Sequence, residues 1–328
     1  MKKILTLTLA ALLAALMLAG CGAEAVSSAA ASSAAPESEA TLSDGVTIED
    51  SLGNQVTLTS WDRVVSLYGS YAEAWVQAGG TLVGTTSDAI KDRGLEVGED
   101  VAIVGTVKEP NMEEILAAEP DLVLMSADVA EHLDFKPALD EAQIPYLYFR
   151  CDTFEQYREM MRIFTSLTGR EDLYQQNALE VQDQINAVLE TVKGQPQPTA
   201  LLIRAFSTGA KAKGDDNLAG IILKDLGALN LVEQHESLLE DVSMEEIIAA
   251  DPDFIFLVTM GKSEEKALAY MADNLESNPA WAGLTAVQNG HYIQLPKDLF
   301  HFKPNARWGE SYEVLAKHLY PDLAEQIG

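Results

Sequence analysis

The sequence has 328 residues, of which 47% are hydrophobic, and its 22 basic residues face 51 acidic ones, for a formal net charge of −29. This excess of acid argues against nucleic acid and anionic membrane surfaces as partners. The length leaves room for two domains. With only two cysteines, Cys21 and Cys151, the fold must depend on its apolar cores.

The N-terminus has the plan of an export signal. Two lysines precede an apolar run from residue 4 to residue 18, which is too short to span a bilayer comfortably. Residues 1–20 are therefore predicted to be a signal peptide. The run Leu18-Ala19-Gly20-Cys21 resembles the lipobox of bacterial lipoproteins, which implies that Cys21 is acylated and becomes the new N-terminus. The alternative is an ordinary signal peptide with a chance cysteine.

A flexible tether is predicted after the anchor. Residues 21–43 are rich in serine and alanine and offer little to bury. Removal of the signal takes away two lysines and no acid, so 20 basic residues remain against 51 acidic ones, a charge of −31. The protein is thus expected at the outer face of the cytoplasmic membrane and is expected to touch the membrane only through its lipid.

Residues 44–153 predict a first α/β lobe. A hairpin is expected from Val46 to Thr59, after which apolar strands alternate with helices. The predicted strands are residues 64–67, 81–86, 102–105, 121–125 and 145–149. This alternation is typical of a mostly parallel, Rossmann-like sheet covered by helices.

Residues 154–194 interrupt the alternation. They contain no strand signal and no proline, so one or two helices are expected as a long interdomain connection. The pattern restarts in residues 195–328, with strands at 200–204, 254–258 and 292–295 and a glycine-rich loop after the first of them. The sequence therefore predicts two α/β lobes with a ligand cleft between them.

One helix-strand unit occurs twice. Residues 111–126 and 243–258 match at most positions. In each copy an asparagine or serine is followed three places on by a glutamate, which is the capping-box pattern at a helix start. The duplication shows that one structural unit was used in both lobes.

Each copy carries a second glutamate beside the capping one. Glu114 and Glu246 have the capping role, whereas Glu113 and Glu245 lie at the second helical position and are expected to point into solvent. Such an acid could simply complement the helix dipole. Both copies keep it at the rim of the predicted cleft, beside an acid already used for capping, and dipole complementation alone does not explain this.

The carboxyl ends of the strands locate the candidate ligand-binding residues, because ligands of such sheets bind at that edge. In the first lobe these residues are Tyr68, Ser70, Tyr71 and Arg150. In the second lobe they are Arg204, Phe206, Met260 and, from the loop 300–308, His301, Phe302, Arg307 and Trp308.

The three arginines suit an anionic ligand. Arg150, Arg204 and Arg307 would attract it on a strongly acidic protein, although each could be an ordinary surface ion pair. Tyr68, Tyr71 and His301 could contact such a ligand; packing for the tyrosines and solvent exposure for the histidine are the alternatives.

Taken together, these segments resemble a known family. They are VTIEDSLGNQVTLTSWDRVVSL, NMEEILAAEPDLVL with its copy VSMEEIIAADPDFIF, DNLAGIILKDLGALN and KPNARWGESYEVLAKHLYPD. Over roughly residues 44–325 the chain resembles the substrate-binding proteins of importers for ferric siderophores, haem and cobalamin, which have two lobes and a rigid interdomain helix.

The resemblance implies a function and partners. It implies capture of a ferric siderophore or haem, whose iron Tyr68, Tyr71 or His301 could contact. It also implies no intrinsic cofactor, and a monomer that delivers its ligand to a permease dimer with a cytoplasmic ATPase. In this family one glutamate per lobe meets arginines on the two permease subunits; the matching positions here are Glu113 and Glu245.

Four alternatives remain at this point. Cobalamin is the first, although Thr106-Val107-Lys108-Glu109 stands where cobalamin binders often have aromatic residues. Binding of a bare metal ion is disfavoured because His132, His235, His291 and His318 show no ligand spacing. A hydrolase lacks any catalytic motif, and a ligand-free adhesin would not explain the twin acids.

Overall fold

A computed structural model describes residues 45–240, 242–261 and 263–328. The predicted signal peptide, Cys21 and the tether to residue 43 lie outside these ranges. No helix within the described residues is long and apolar enough to cross a membrane.

The first lobe is built on a five-stranded parallel sheet. Its strands and the two flanking hairpins are β1 (Val46–Glu49), β2 (Gln55–Leu58), β3 (Val64–Ser66), β4 (Leu82–Thr85), β5 (Ala102–Ile103), β6 (Gly105–Thr106), β7 (Glu109–Pro110), β8 (Leu122–Ser126) and β9 (Tyr146–Phe149). The sheet order is β5-β4-β3-β8-β9, whereas β1–β2 and β6–β7 pair antiparallel. Every residue of β8 is buried, as expected for a strand with helices on both faces.

Short helices connect and cover these strands. They are α1 (Gly69–Gln77), α2 (Ser87–Lys91), α3 (Met112–Ala117), α4 (Ala130–Leu133) and α5 (Lys136–Ala142). The predicted hairpin and strand-helix alternation are confirmed, and the β6–β7 hairpin is an addition that the sequence did not indicate.

Two helical stretches follow the first lobe. The first is α6 (Phe154–Thr168), which ends at Gly169 because this glycine adopts a left-handed conformation, φ 68°. The second begins with α7 (Glu171–Tyr174), passes through a π-helical turn at residues 175–179, and continues as α8 (Glu180–Val192). The connection is therefore a pair of helices and not one continuous helix.

The second lobe has a mixed sheet. Its strands are β10 (Thr199–Phe206), β11 (Gly209–Ala212), β12 (Leu229–Asn230), β13 (Phe254–Thr259) and β14 (Tyr292–Gln294). β10, β13 and β14 are parallel, β12 pairs parallel with the start of β10, and β11 folds back antiparallel on its end. The prediction of a plain glycine-rich loop after β10 was wrong, because this segment forms the hairpin strand β11.

Helices cover this sheet as well. They are α9 (Leu218–Asp225), α10 (Ser237–Glu240), α11 (Met244–Ala250), α12 (Glu264–Met271), α13 (Thr285–Gln288), α14 (Lys297–Phe300) and α15 (Trp308–Leu319). The two lobes with mostly parallel sheets agree with the predicted fold class.

One apolar core extends through both lobes. It joins Trp75 and Phe149 of the first lobe to Phe164 of α6 and to Phe256 and Trp308 of the second lobe. Phe164 lies edge-on to both Trp75 and Phe149, with ring centroids 5.2 and 5.0 Å apart. The lobes are thus fixed to each other by buried side chains as well as by the chain itself.

A polar contact completes this junction. Asn305, fully buried in the second lobe, donates from its side-chain amide to the Ser70 carbonyl at 2.8 Å and to the Glu73 carboxylate at 2.6 Å. Glu73 also pairs with Arg93 of its own lobe. We call Ser70, Glu73, Arg93, Asn305 and Trp308 the interlobe seam.

Candidate functional site

A cavity of about 390 Å3 lies between the carboxyl ends of the two sheets. Residues of both lobes line it. Its charged side chains are Asp128, Asp152, Asp216, Arg204, Lys213 and Lys303. Three acids and three bases thus face a site in a protein with a large excess of acid.

Four of the residues predicted from the sequence line this cavity: Tyr68, Arg204, Met260 and His301. Tyr68 caps α1 directly after β3, Arg204 lies near the end of β10, and Met260 follows β13. His301 follows the short helix α14. Strand ends from both lobes therefore bring these side chains around one space, as the topology of such sheets requires.

Arg204 is a cavity cation without an ion pair among the described residues. It is half-buried, and among the described residues its guanidinium takes part in no hydrogen bond and no ion pair within 4.0 Å. Burial lowers the pKa of Arg204, against the opposite effect of Asp216 and Asp152. A partly desolvated cation without a partner costs free energy that an anionic ligand would recover.

The other cavity cations differ in their partners. Lys303 binds Asp152 at 2.5 Å. Burial acts to lower the pKa of Lys303, but Tyr68, Cys151 and Asp152 outweigh it and the pKa is raised. No ion pair of Lys213 is present within the described part of the chain. Lys303 therefore has its negative partner already, whereas Arg204 and Lys213 remain available.

His301 and Tyr68 approach the cavity from opposite lobes. Burial and the nearby cations Lys297, Arg204 and Lys303 lower the pKa of His301 to about 4, so its imidazole is neutral near pH 7. Burial raises the pKa of Tyr68, so its phenol is protonated near pH 7. Both groups can therefore donate or accept hydrogen bonds without adding charge.

Three predicted residues are buried away from the cavity: Ser70, Tyr71 and Trp308. Tyr71 donates its hydroxyl hydrogen bond to the Phe149 carbonyl at 2.9 Å. Trp308 packs edge-on against Phe154. The structure places these three side chains in the shared core and not at the cavity surface, because the first turns of α1 and α15 direct them inward.

Four further predicted residues lie outside the cavity lining. Arg150 forms an ion pair at 2.7 Å with Asp128, an acid that itself lines the cavity. Arg307 binds Asp298 and Glu310 at the surface. Phe206 pairs with Gly209 in the β10–β11 hairpin, and Phe302 packs on His301. The two arginines are neutralised by acids of the fold, Arg150 by a cavity-lining acid and Arg307 by two surface acids, which sequence alone could not assign.

The cavity also contains polar residues that the sequence did not single out. Lys213 follows β11, the strand that was predicted as a loop, and Asp216 precedes Asn217, the N-cap of α9. Asp152 and Lys303 flank predicted positions. These residues lie beside strand ends and helix starts, and the sequence does indicate those positions. Which of the neighbouring side chains faces the cavity, however, depends on the tertiary fold.

No group of three or more His, Cys, Asp or Glu in the described ranges is arranged to hold a metal ion. The one described cysteine, Cys151, is buried, and burial raises its pKa to about 12. The chain thus offers isolated donors such as Tyr68 and His301, and not a preformed cage.

The two repeated helices expose their second glutamates. The Asn111 side chain accepts hydrogen bonds from the Glu113 and Glu114 amides at 2.9 and 3.4 Å, and Ser243 accepts from the Glu246 amide at 3.3 Å. The reciprocal bond from a glutamate side chain to the cap is not formed in either helix. The predicted capping boxes are therefore half-formed.

Two α/β lobes that share a core and enclose a polar cavity at their strand ends define a two-lobed binding protein. Residues 64–299 match the family described as Periplasmic binding protein, and the chain belongs to this family. The family is one of binding proteins and not of enzymes.

Several known proteins are similar over most of this chain. It is 27% identical over 300 residues to the Fe(3+)-citrate-binding protein YfmC of Bacillus subtilis (strain 168), covering 90% of each. It is 21% identical over 229 residues to the high-affinity heme uptake system protein IsdE of Staphylococcus aureus (strain MRSA252), covering 68% of this chain and 76% of that protein.

The fold is shared with solved structures. An ABC transporter substrate-binding protein from Listeria monocytogenes EGD-e superposes with a TM-score of 0.65 at 19% identity, covering 80% of this chain and 100% of that one. This likeness concerns the two-lobed architecture.

Proposed function

We propose that this protein captures an anionic ferric chelate in the interlobe cavity and delivers it to an ABC importer. The main observation in support is that Arg204, a half-buried cation that lines the cavity, has no ion pair among the described residues. A carboxylate of the ligand would supply the missing partner, and such charge-assisted hydrogen bonds are among the strong ones.

The similarity to binding proteins for ferric citrate and for haem supports this ligand class. Both ligands carry iron together with carboxylates. Lys213 offers a second cation on the same lobe, and Tyr68 and His301 offer neutral oxygen and nitrogen donors from opposite walls. We infer that the carboxylates bind Arg204 and Lys213, and that Tyr68 or His301 contacts the iron or its remaining donors.

Delivery requires an orientation on the membrane. We infer that Cys21 carries a lipid and that the tether to residue 43 lets the body reach its permease. Glu113 and Glu245 stand at helix starts in opposite lobes, both exposed, and we infer that each meets a cation of one permease subunit. Docking and ligand capture would thus use separate surfaces.

The test compares arginines that differ in their partners. Ferric citrate and haem are titrated into the wild type, Arg204→Ala and Arg170→Ala, with binding followed by tryptophan fluorescence and visible absorption. For the ligand that binds, we expect Arg204→Ala to weaken affinity roughly 10- to 100-fold, which corresponds to about 1.4–2.8 kcal/mol. Arg170→Ala should leave the affinity within about 3-fold of the wild type, because Arg170 pairs with Asp172 at the surface and neither residue lines the cavity.

Two outcomes would contradict the proposal. One is equal affinity in the wild type and Arg204→Ala. The other is that the wild type, freed of bound ligand, binds neither ferric citrate nor haem while it binds an uncharged chelate.

A further inference from the structure

The two repeated helices share more than their glutamates. In α3, Ile115 is fully buried and the next residue, Leu116, is 42% exposed; in α11, Ile247 is fully buried and Ile248 is 44% exposed. Both exposed side chains are large and aliphatic, and they occupy the same position of the repeat. The two lobes differ in sheet topology, yet each exposes a large aliphatic side chain at the equivalent position of the repeated helix.

Each exposed aliphatic residue lies beside one of the two glutamates, Glu113 and Glu245, for which we infer a docking role. Leu116 follows Glu113 by three residues and Ile248 follows Glu245 by three, a spacing that puts both side chains of a pair on one helix face, roughly 60° apart. The buried isoleucine of each helix points away from this face.

The acids on this face have no cation of their own. Neither Glu113 nor Glu245 forms an ion pair within the described part of the chain, and both are exposed. The neighbouring Glu246 is engaged differently, since its carboxylate accepts a hydrogen bond from Ser237 at 2.8 Å. Each lobe therefore presents one carboxylate and one exposed aliphatic side chain together, and neither carboxylate has an ion pair with a described residue.

We propose that Leu116 and Ile248 are apolar anchors of the permease contact, so that each lobe docks through an acid and an aliphatic side chain side by side. This inference rests on the proposed delivery function. The partner is a membrane protein that offers a cation next to an apolar hollow, twice, once for each lobe. The duplication supports a two-subunit partner, because the same pair of groups occurs in both lobes.

The chemistry explains why both groups are needed. An exposed ion pair contributes little affinity by itself, because water and salt screen it. Burial of an aliphatic side chain contributes affinity but little orientation, whereas the acid fixes register and increases the association rate. Removal of the anchors should therefore accelerate dissociation, and removal of the acids should slow association and abolish its salt dependence.

The experiment measures docking kinetics on full-length protein. Nanodiscs containing the permease-ATPase complex whose deletion abolishes iron uptake through this protein are immobilised, with empty nanodiscs of the same lipid beside them. The variants are Leu116→Ala/Ile248→Ala, Glu113→Gln/Glu245→Gln and the control Val76→Ala, which truncates an exposed aliphatic residue near the end of α1. Affinity of each variant for ferric citrate, or for haem if that is the ligand, is measured in parallel.

We expect the double alanine variant to dissociate about 10-fold faster from the permease, to associate at the wild-type rate, and to keep its ligand affinity. Val76→Ala should behave as the wild type. Equal dissociation of the wild type and the double alanine variant would overturn the role of the anchors.

The experiment also distinguishes two other partners that could cover Leu116 and Ile248. Equal binding of the wild type to empty nanodiscs, lost in the double alanine variant, would assign Leu116 and Ile248 to the lipid surface. A wild-type dimer by native mass that the double alanine variant lacks would assign them to self-association. Each outcome overturns the permease contact, whereas failure of the Arg204 test alone would affect only the proposed ligand.

Discussion

The lobes of this protein meet in two places that differ in character. At the interlobe seam, Asn305 satisfies the Ser70 carbonyl and the Glu73 carboxylate, and Trp308 packs in a continuous apolar core. In the cavity, Arg204 has no ion pair among the described residues. The seam joins the lobes by hydrogen bonds and apolar packing, although the Asn305 side-chain oxygen and the Trp308 indole N–H have no hydrogen-bond partner among the described residues. The cavity combines a charge that is already paired, Lys303 with Asp152, with Arg204, which has no ion pair in the described ranges.

This difference separates stability from ligand binding. Groups at the seam should contribute to the free energy of unfolding and little to ligand contact. Uncompensated groups in the cavity should contribute to ligand affinity and little to stability, or even reduce it. A shared core also makes large separation of the lobes costly, so we expect ligand capture with small relative movement.

The largest effect is expected at the seam. Asn305→Ala removes two buried hydrogen bonds, one of them to a carboxylate, and places alanine at φ 54°, a left-handed conformation that asparagine tolerates. We expect the free energy of unfolding to fall by about 2–4 kcal/mol. Urea unfolding followed by circular dichroism measures it.

Asn305→Gly serves as the matched control, because it removes the same hydrogen bonds without the backbone strain. Its loss should be smaller than that of Asn305→Ala by roughly 1 kcal/mol. A neutral Asn305→Ala would contradict the assignment of the seam as the stabilising contact between the lobes.

The second prediction concerns the pH dependence of the free energy of unfolding, and it depends on the cavity residue His301. Burial and nearby cations lower the pKa of His301 to about 4, below the value near 6.5 of the unfolded chain. The folded protein therefore resists protonation there, and stability present above pH 6.5 is lost as the pH falls toward 4. We expect His301 to account for roughly 1–3 kcal/mol of this loss.

Urea unfolding at pH 7.5 and 4.5 isolates the contribution of His301. The loss of stability on acidification should be smaller in His301→Gln than in the wild type, since other titrating groups are common to both. His235→Gln, a histidine of the second lobe outside the cavity lining, should lose as much as the wild type. Identical losses in all three proteins would show that His301 is not desolvated.

Much of the scaffold could be predicted from periodicity. The alternation of apolar strands and helices gave both lobes, and the rule that ligands bind at the carboxyl ends of strands led to Tyr68, Arg204, Met260 and His301. The lobes could be predicted because they depend on local pattern and on topology. The four side chains lie at the cavity, and their contact with a ligand stays a prediction. Strand β11 was missed because its sequence, GAKA, has little β propensity and is held by pairing with β10.

The orientation of neighbouring side chains could not be predicted. Tyr68 and Tyr71 are three residues apart, yet Tyr68 caps α1 at the cavity and Tyr71 is fully buried. The position of the helix start fixes this difference. The partners of the arginines were equally hidden, because Asp128 and Asp298 are acids among 51 that could have paired with them.

The smallest effect on stability and on ligand affinity is expected for substitution of Arg307, which can be compared directly with Arg204. Arg307 and Arg204 are both arginines of the second lobe near predicted loop positions, but Arg307 is 48% exposed and binds Asp298 and Glu310. Exposed ion pairs of this kind contribute about 0–1 kcal/mol to stability. Arg307→Gln should therefore lower the free energy of unfolding by less than about 1 kcal/mol and leave chelate affinity within about 2-fold of the wild type.

The same two measurements on Arg204→Gln should give the opposite pattern, with unchanged or higher stability and weaker chelate binding. That contrast would show that the presence of a partner in the fold, and not the residue type, decides which arginine serves the ligand. If Arg307→Gln instead weakened chelate binding as much as Arg204→Gln, the binding site would extend beyond the cavity to the start of α15. The acids Asp298 and Glu310 would then have to release Arg307 when the ligand binds, and affinity would rise on their substitution by amides.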